Sequence, residues 1–295
     1  MKNTKILIIG STGFIGNHLY SHFSKQGAQV FGVGRKKSSQ LNYTQLDLQD
    51  NRHVDRLFQS TNPDVCIYAA GSAVAKSIKN TSDYFYDQKC LINTLDACSK
   101  QKTRRTIFVS SSYALVDCNK SGFAYASLKQ RLEQIFLNFI NLHSFQATIM
   151  RFVNIYGPGD KHLSRIIPKI IHSALAKEEV KLWGNGMQVR QYLYIDDAIK
   201  AFDKVFQMND DLIKKYPILN FGPSSSISVT NLARLIIHEM KLDTPIVFEM
   251  KNIRKDVDSI LIESSVANNF LQWSPKTSIR AGISQTINWM KKKQL

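Results

Sequence analysis

Tyr125 and Lys129 stand four residues apart in Tyr125-Ala126-Ser127-Leu128-Lys129, so on a helix they project from one face. A free tyrosine has a pKa near ~10 and exchanges protons poorly at neutral pH. A neighbouring ammonium stabilises the phenolate and draws that pKa toward the working range, which suits the pair to acid/base chemistry. Alone, this spacing is common and usually structural. Ser110-Ser111-Ser112 closes an apolar run that reads as a strand, and a hydroxyl at its carboxyl end can hydrogen-bond a reacting carbonyl. Near the start, Gly10-Ser11-Thr12-Gly13-Phe14-Ile15-Gly16 follows one strand directly and opens a helix. Glycines there let backbone N–H groups gather at a positive helix end, where a pyrophosphate fits; a plain tight turn is the alternative. Together, these features give the tyrosine a catalytic reading.

The end of the second strand selects the cofactor. A dinucleotide fold that prefers NAD places an acidic residue there for the ribose hydroxyls. Here the run is Val30-Phe31-Gly32-Val33-Gly34-Arg35-Lys36-Lys37, with no carboxylate and three consecutive cations. Arg35 can make forked bonds to a 2′-phosphate, so NADP(H) is expected and NAD(H) is the alternative. A solvated basic loop is the competing structural role. Asp47-Leu48, after the third strand, is expected beside the adenine.

Short apolar runs at Lys5–Ile9, Gln29–Val33, Val65–Ala69, Thr106–Ser110 and Ala147–Phe152 must position these residues. Helical patterns lie between them, near Ile15–Gln26, Asn51–Phe58, Asp83–Lys100 and Ser127–Leu142. Such alternation predicts an α/β, Rossmann-like, doubly wound parallel sheet, with strands buried on both faces. Beyond residue 155 the pattern becomes mixed. Gly157-Pro158-Gly159 breaks the chain, and a helix is expected over Arg165–Lys177. Gly184-Asn185-Gly186 reads as a tight turn. A short strand near Tyr192–Ile195 leads into Asp196-Asp197, first-turn carboxylates of a helix through Phe206. A strand at Ile218–Phe221 and helices at Thr230–Met240 and Ile279–Lys292 complete a smaller mixed α/β lobe.

The 295 residues carry 39 Lys+Arg against 23 Asp+Glu, a formal charge of +16, with ordinary globular composition otherwise. That charge raises nucleic acid, a membrane surface or an anionic substrate as partners. No apolar run approaches the ~18–20 residues of a membrane span, and the N-terminal apolar stretch is too short for a secretory signal. Cys66, Cys90, Cys98 and Cys118 lack CxxC spacing, so reduced thiols in a cytoplasmic protein and no metal site are expected. No nucleic-acid motif, aromatic-glycine RNA platform or basic low-complexity tail accompanies the charge.

With these residues in place, the chain resembles the extended short-chain dehydrogenase/reductase family, in its nucleotide-sugar epimerase/dehydratase branch. The resemblance spans nearly the whole sequence. It rests on Gly10…Gly13…Gly16, Ala69-Ala70-Gly71, Ser111-Ser112 and Tyr125…Lys129. It continues through Arg151-Phe152-Val153-Asn154-Ile155-Tyr156-Gly157-Pro158-Gly159, Trp183-Gly184-Asn185-Gly186 and Arg190-Gln191-Tyr192-Leu193-Tyr194-Ile195-Asp196-Asp197. Asn220-Phe221-Gly222, Arg254-Lys255-Asp256 and Trp273-Ser274-Pro275 complete it. The resemblance implies Tyr125 as acid/base, Lys129 as its pKa-lowering and ribose-orienting partner, and Ser112 as the catalytic hydroxyl. It implies cofactor contacts from Gly10, Thr12, Gly13, Phe14, Ile15, Gly16, Arg35, Asp47, Leu48, Ala69, Ala70 and Gly71. It also implies that Asn154, Arg190 and Arg254 hold the diphosphate of a nucleoside-diphosphate sugar, a dianion that a forked cation matches. Surface salt bridges are the alternative role for the two arginines. Residues 1–155 with about 189–223 are expected as the cofactor domain, and about 156–188 with 224–295 as the sugar-nucleotide lobe. Family analogy further implies a homodimer through the Asp83–Lys100 and Tyr125–Leu142 helices.

Departures from the pattern narrow the reaction. Dehydratases of this branch follow the hydroxyl with Asp-Glu, whereas Tyr113-Ala114 stand here and disfavour a 4,6-dehydratase. Tyr125 follows Ser112 by only 13 residues, which trims the Leu115–Phe123 loop. Tyr68 replaces a histidine common before the alanine pair, and no asparagine aligns near Asp87-Gln88 to support the active-site helix. The expected function is therefore NADPH-dependent reduction of a nucleoside-diphosphate 4-keto-6-deoxy sugar for glycan assembly. A nucleotide-sugar 4-epimerase is the alternative within the family. A non-catalytic dinucleotide- or RNA-binding protein is the alternative from another class, and the presence of Ser112, Tyr125 and Lys129 opposes it. The excess charge then divides between nucleotide-phosphate ligands and solvated surface such as Arg104-Arg105 and Lys291-Lys292-Lys293.

Overall fold

Lys5–Ile9 (β1) is a run of five residues with Ile6, Leu7, Ile8 and Ile9 all fully buried, which requires cover on both sides of the strand. The computed structural model, which describes residues 1–71, 81–117, 124–143, 146–250 and 259–293, supplies that cover. Leu7 and Ile9 join Cys66, Tyr68, Phe108 and Ile149 in one core with residues of the Asn51–Thr61, Thr81–Lys100 and Ala124–His143 helices. Ile6 and Ile8 alternate to the opposite face, since successive strand side chains point opposite ways. The Phe14–Lys25 helix packs on β1 and on Gln29–Gly34 (β2), burying Leu19 and Phe23.

The chain divides into two compact units. One comprises Met1–Ala114, Phe123–Arg151 and Val205–Leu219, and the other Leu115–Gly122, Phe152–Lys204 and Asn220–Leu295. Besides β1 and β2, the first unit's strands are Tyr43–Gln45 (β3), Val65–Tyr68 (β4) and Arg105–Ser111 (β5). Ala147–Phe152 (β6) ends with the first residue of the second unit. Asn154–Tyr156 (β7), Val180–Trp183 (β8), Val189–Arg190 (β9) and Tyr192–Tyr194 (β10) belong to the second unit. Ile218–Phe221 (β11) begins in the first unit and completes a seven-stranded sheet of order β11-β6-β5-β4-β1-β2-β3. The β1–β2, β1–β4, β2–β3 and β4–β5 pairings are parallel, the doubly wound arrangement expected from the strand–helix alternation. Within the first unit, Arg105 donates to the carbonyls of Val205, Phe206 and Met208 at 3.0, 2.9 and 2.9 Å. It thereby satisfies orphan acceptors at the end of the Ile195–Phe206 helix.

The second unit adds Ile227–Ser228 (β12), Ile246–Glu249 (β13) and Ser259–Ile260 (β14). β7 pairs in parallel with β10, β8 with β13, and β9 lies between antiparallel β12 and parallel β14. Residues 189–194, grouped above with the cofactor domain, therefore pair with strands of the second unit. Gln191 stitches this region: its amide donates to Pro223 O and Ile262 O and accepts from Ile262 N at 2.8 Å. Phe152, Phe202 and Phe221 stack with centroids 5.3–5.7 Å apart, and Trp273 meets Phe221 edge-on at 5.0 Å. Asp197, in the first helical turn as expected, is buried and accepts from Thr277 N at 2.8 Å. No described helix is long and apolar enough to cross a membrane. Cys66, Cys90 and Cys98 are buried free thiols; Cys118 lies outside the described residues.

Candidate active site

The glycine loop is built so tightly that two of its positions exclude any side chain. Gly10 has φ +84°, and a Cβ there would fall 2.8 Å from Ala70 N and 2.9 Å from Ala69 O. A Cβ on Gly16 would meet Gly10 O at 2.2 Å. Gly10 N and Ser11 N donate to Val33 O, fastening the loop to the end of β2. Gly10–Gly16, Val33–Arg35 and Ala69-Ala70-Gly71 thus share the carboxyl edge of three adjacent parallel strands. Gly13 caps the Phe14–Lys25 helix without a side-chain hydrogen bond, and the first turn holds no acid. That uncompensated positive end fits a pyrophosphate.

At the end of β2, Arg35, Lys36 and Lys37 are exposed. Gln45 Nε2 donates to Arg35 O at 2.9 Å and the Tyr43 hydroxyl donates to Lys36 O. Gln40 crosses back to the glycine loop, donating to Ser11 O at 3.0 Å and accepting from Ser11 Oγ at 2.7 Å. Among the described residues, no carboxylate pairs with the Arg35 guanidinium, whose Cζ lies 5.1 Å from the centroid of the Tyr86 ring. Asp47 accepts from the Tyr86 hydroxyl at 3.0 Å, and Leu48 is buried.

The three serines at the end of β5 have different surroundings. Ser110 is buried and donates to Glu133 Oε1 at 2.5 Å. Ser111 Oγ accepts from Tyr113 N at 3.3 Å. Ser112 opens the short Ser112–Leu115 3₁₀ turn and is 4% exposed. Tyr125 lies in the first turn of the Ala124–His143 helix, its ring edge-on to Tyr113 at 5.5 Å. Lys129 is 6% exposed, with Nζ 5.7 Å from the Tyr125 centroid and 5.6 Å from that of Phe108. Among the described residues, no hydrogen bond occupies the Ser112 or Tyr125 hydroxyl or the Lys129 ammonium. All three belong to the first unit, and together they can supply a hydroxyl donor, a proton donor and a cation beside the phenol.

Asn154 and Arg190 belong to the second unit. The β7–β10 register sets Asn154 opposite Tyr192, two residues after Arg190, and Asn154 Nδ2 donates to Gln191 O at 3.4 Å. Arg190 is only 5% exposed and donates to Val189 O, so it is not a surface arginine. Arg254 and most of the trimmed loop, residues 118–123, lie outside the described residues.

The model of the NAD dependent epimerase/dehydratase family matches residues 6–222. The chain belongs to this family. It is similar to dTDP-4-dehydro-6-deoxy-D-allose reductase of Streptomyces bikiniensis, with 22% identity over 97% of this chain and 96% of the reductase. It is also similar to CDP-abequose synthase of Salmonella typhimurium, with 25% identity over 96% of this chain and 97% of the synthase. Among solved structures, UDP-glucuronic acid 4-epimerase from Bacillus cereus, in complex with UDP-glucuronic acid and NAD, superposes with a TM-score of 0.87. Identity to it is 19%, over 98% of this chain and all of that one, a likeness of fold. The chain is thus an enzyme of the extended short-chain dehydrogenase/reductase type.

Around this candidate site Glu133 and Tyr84 escape sequence reasoning, while Arg151, Asp87 and Tyr68 gain surroundings that the sequence alone does not show. Arg151 donates to both oxygens of buried Glu133 at 2.5–3.0 Å, so the carboxylate four residues after Lys129 has other partners. The available signal was a lone acid inside the Leu128–Leu132–Phe136 apolar stripe. Tyr84, absent from the sequence reading, donates to Ala124 O at 2.5 Å and holds the start of the Tyr125 helix. Asp87 is buried near Gly71, where an added Cβ would lie 3.6 Å from Oδ2. Tyr68, in place of the common histidine, is a core residue whose ring meets Phe108 at 6.0 Å, and Phe108 in turn lies beneath Lys129.

Proposed function

We propose that this enzyme reduces the C4 ketone of a nucleoside-diphosphate 4-keto-6-deoxy sugar, with NADPH as reductant and Tyr125 as proton donor. The observation that carries the proposal is the set of Ser112, Tyr125 and Lys129, unengaged among the described residues, with Tyr113-Ala114 following Ser112 rather than acids able to eliminate water. NADPH supplies hydride to C4 when bound. The Ser112 hydroxyl donates to the ketone oxygen, and the Tyr125 proton passes to that oxygen as it gains charge. Lys129, nearly buried and without a carboxylate partner among the described residues, sets a cation beside the Tyr125 ring. Asn154, Arg190 and Arg254 hold the diphosphate.

The choice of NADPH is supported by the exposed Arg35-Lys36-Lys37 loop and the absence of a described carboxylate pairing with Arg35. Similarity to a reductase named for a dTDP-4-dehydro-6-deoxy sugar supports the reductive direction of the reaction. A 4-epimerase is the second reading, favoured by the shared fold of the UDP-glucuronic acid 4-epimerase. Exposed Phe85 and Ile92 on the Thr81–Lys100 helix support a homodimer through that helix and Ala124–His143. Free, buried Cys66, Cys90 and Cys98 are compatible with the reducing cytoplasm.

The proposal is tested by NADPH consumption against a panel of nucleoside-diphosphate 4-keto-6-deoxy sugars carrying different bases. Turnover with one or more is expected, and Tyr125→Phe is expected to lose about 10²–10⁴ in kcat. Binding of NADPH without turnover of any, together with salt-sensitive polynucleotide binding, would replace the enzyme by a binding protein.

A further inference from the structure

We infer that Tyr86 is the positioning residue that sets cofactor preference, its ring carrying the Arg35 guanidinium while its hydroxyl holds the Asp47 carboxylate. The inference rests on the proposal that Arg35 receives the 2′-phosphate of NADPH. Tyr86 is half-buried on the Thr81–Lys100 helix and packs against the first unit's core, so its ring is a fixed platform. Arg35 lies over that ring at 5.1 Å. Asp47 Oδ1 accepts from the Tyr86 hydroxyl and from Gln49 N, each at 3.0 Å.

A cation and a carboxylate on neighbouring exposed segments would ordinarily pair, and a paired arginine must give up that partner to take a phosphate. Tyr86 stands between these outcomes. A ring face attracts the guanidinium through its plane and leaves the N–H edges available for a forked bond. The hydroxyl and Gln49 N together occupy Oδ1, which fixes the carboxylate without calling on Arg35. Burial pushes the Tyr86 phenol well above its ordinary value, so it remains a protonated donor at neutral pH. Gln45 and Tyr43 hold the carbonyls of Arg35 and Lys36, so the loop backbone does not drift from the ring.

The test is titration calorimetry of the full-length protein with NADPH and NADH at one ionic strength, using wild type, Tyr86→Leu, Tyr86→Phe and Arg35→Met. Wild type is expected to bind NADPH more tightly than NADH. Tyr86→Leu is expected to lower NADPH affinity by about three- to tenfold with NADH affinity held, the scale of a lost cation–π platform plus a competing carboxylate. Tyr86→Phe keeps the ring and is expected to lose about two- to threefold in the NADPH:NADH ratio, recovered when Asp47→Asn is added. In the Arg35→Met background, Tyr86→Leu is expected to leave the ratio unchanged, because Tyr86 acts through Arg35. Wild type binding NADH as tightly as NADPH would overturn the cofactor proposal and this inference with it. A wild-type preference that survives Tyr86→Leu, or a variant that loses both cofactors equally, would overturn the role of Tyr86 and leave that of Arg35 intact.

Discussion

Glu133 follows Lys129 by one helical turn, and in solution that spacing would invite an ion pair. Both of its oxygens instead meet Arg151, and Ser110 adds a third bond. The acid thereby joins β5, β6 and the Ala124–His143 helix behind the candidate site and leaves the Lys129 ammonium beside the Tyr125 ring. Glu133→Ala strands a largely buried guanidinium and is expected to cost about 3–5 kcal/mol, read as a lower denaturant midpoint. A change below about 1 kcal/mol would show that Arg151 finds water or another acceptor. This network was illegible in the sequence, because nothing local says that an acid in an apolar stripe meets an arginine 18 residues away. Tyr125, Lys129 and the glycines were legible as candidates because the roles proposed for them depend on spacing within one local element. Choosing Ser112 among three serines needed the resemblance, and the hydrogen bonds of Ser110 and Ser111 now support it.

At the level of elements, the glycine loop shows how closely backbone approaches backbone. A methyl on Gly16 would overlap the Gly10 carbonyl, and neither atom sits on a flexible side chain. Gly16→Ala is expected to destabilise the protein by about 1–3 kcal/mol and to weaken cofactor binding, measured by thermal melting and calorimetry. Gly13→Ala, whose Cβ would meet Gly10 O at 3.2 Å, is expected to be milder in stability. Equal effects at both positions would contradict the packing described. Lys5–Ile9, Ala147–Phe152 and Ile218–Phe221 coincide with their expected ranges, Lys5–Ile9 because a strand covered on both faces carries a continuous apolar run. The two-residue strands at 189–190, 227–228 and 259–260 owe their existence to one another across the chain and carry no local pattern of their own.

Over the whole molecule, several acidic protons are held by burial. The ordinary values of 9.0 for a thiol and 10.0 for a phenol rise to about 12 for Cys90 and Tyr194, each chiefly through burial. Burial pushes the Tyr68 and Tyr156 phenols up as well. The unfolded chain releases such protons first, so it gains stability relative to the native protein once pH exceeds the unfolded values. These groups leave folding stability unaffected below pH 9 and lower it progressively as pH rises toward about 12. Denaturant midpoints measured across that window should fall, and a flat profile would show that these groups ionise without unfolding. The positive charge carries a prediction at this scale: a field of that sign would gather polyanionic nucleotides, an effect expected to weaken with salt and read as a salt-dependent cofactor on-rate. The proposal as a whole turns on one measurement, the mass of the product formed from a nucleoside-diphosphate 4-keto-6-deoxyhexose in the presence of NADPH. A product heavier by two hydrogens, with one NADPH oxidised for each molecule formed, is predicted. Unchanged substrate with NADPH intact would contradict the reductase, and conversion of a nucleoside-diphosphate 4-hydroxyhexose to its C4 isomer of equal mass would establish a 4-epimerase in its place.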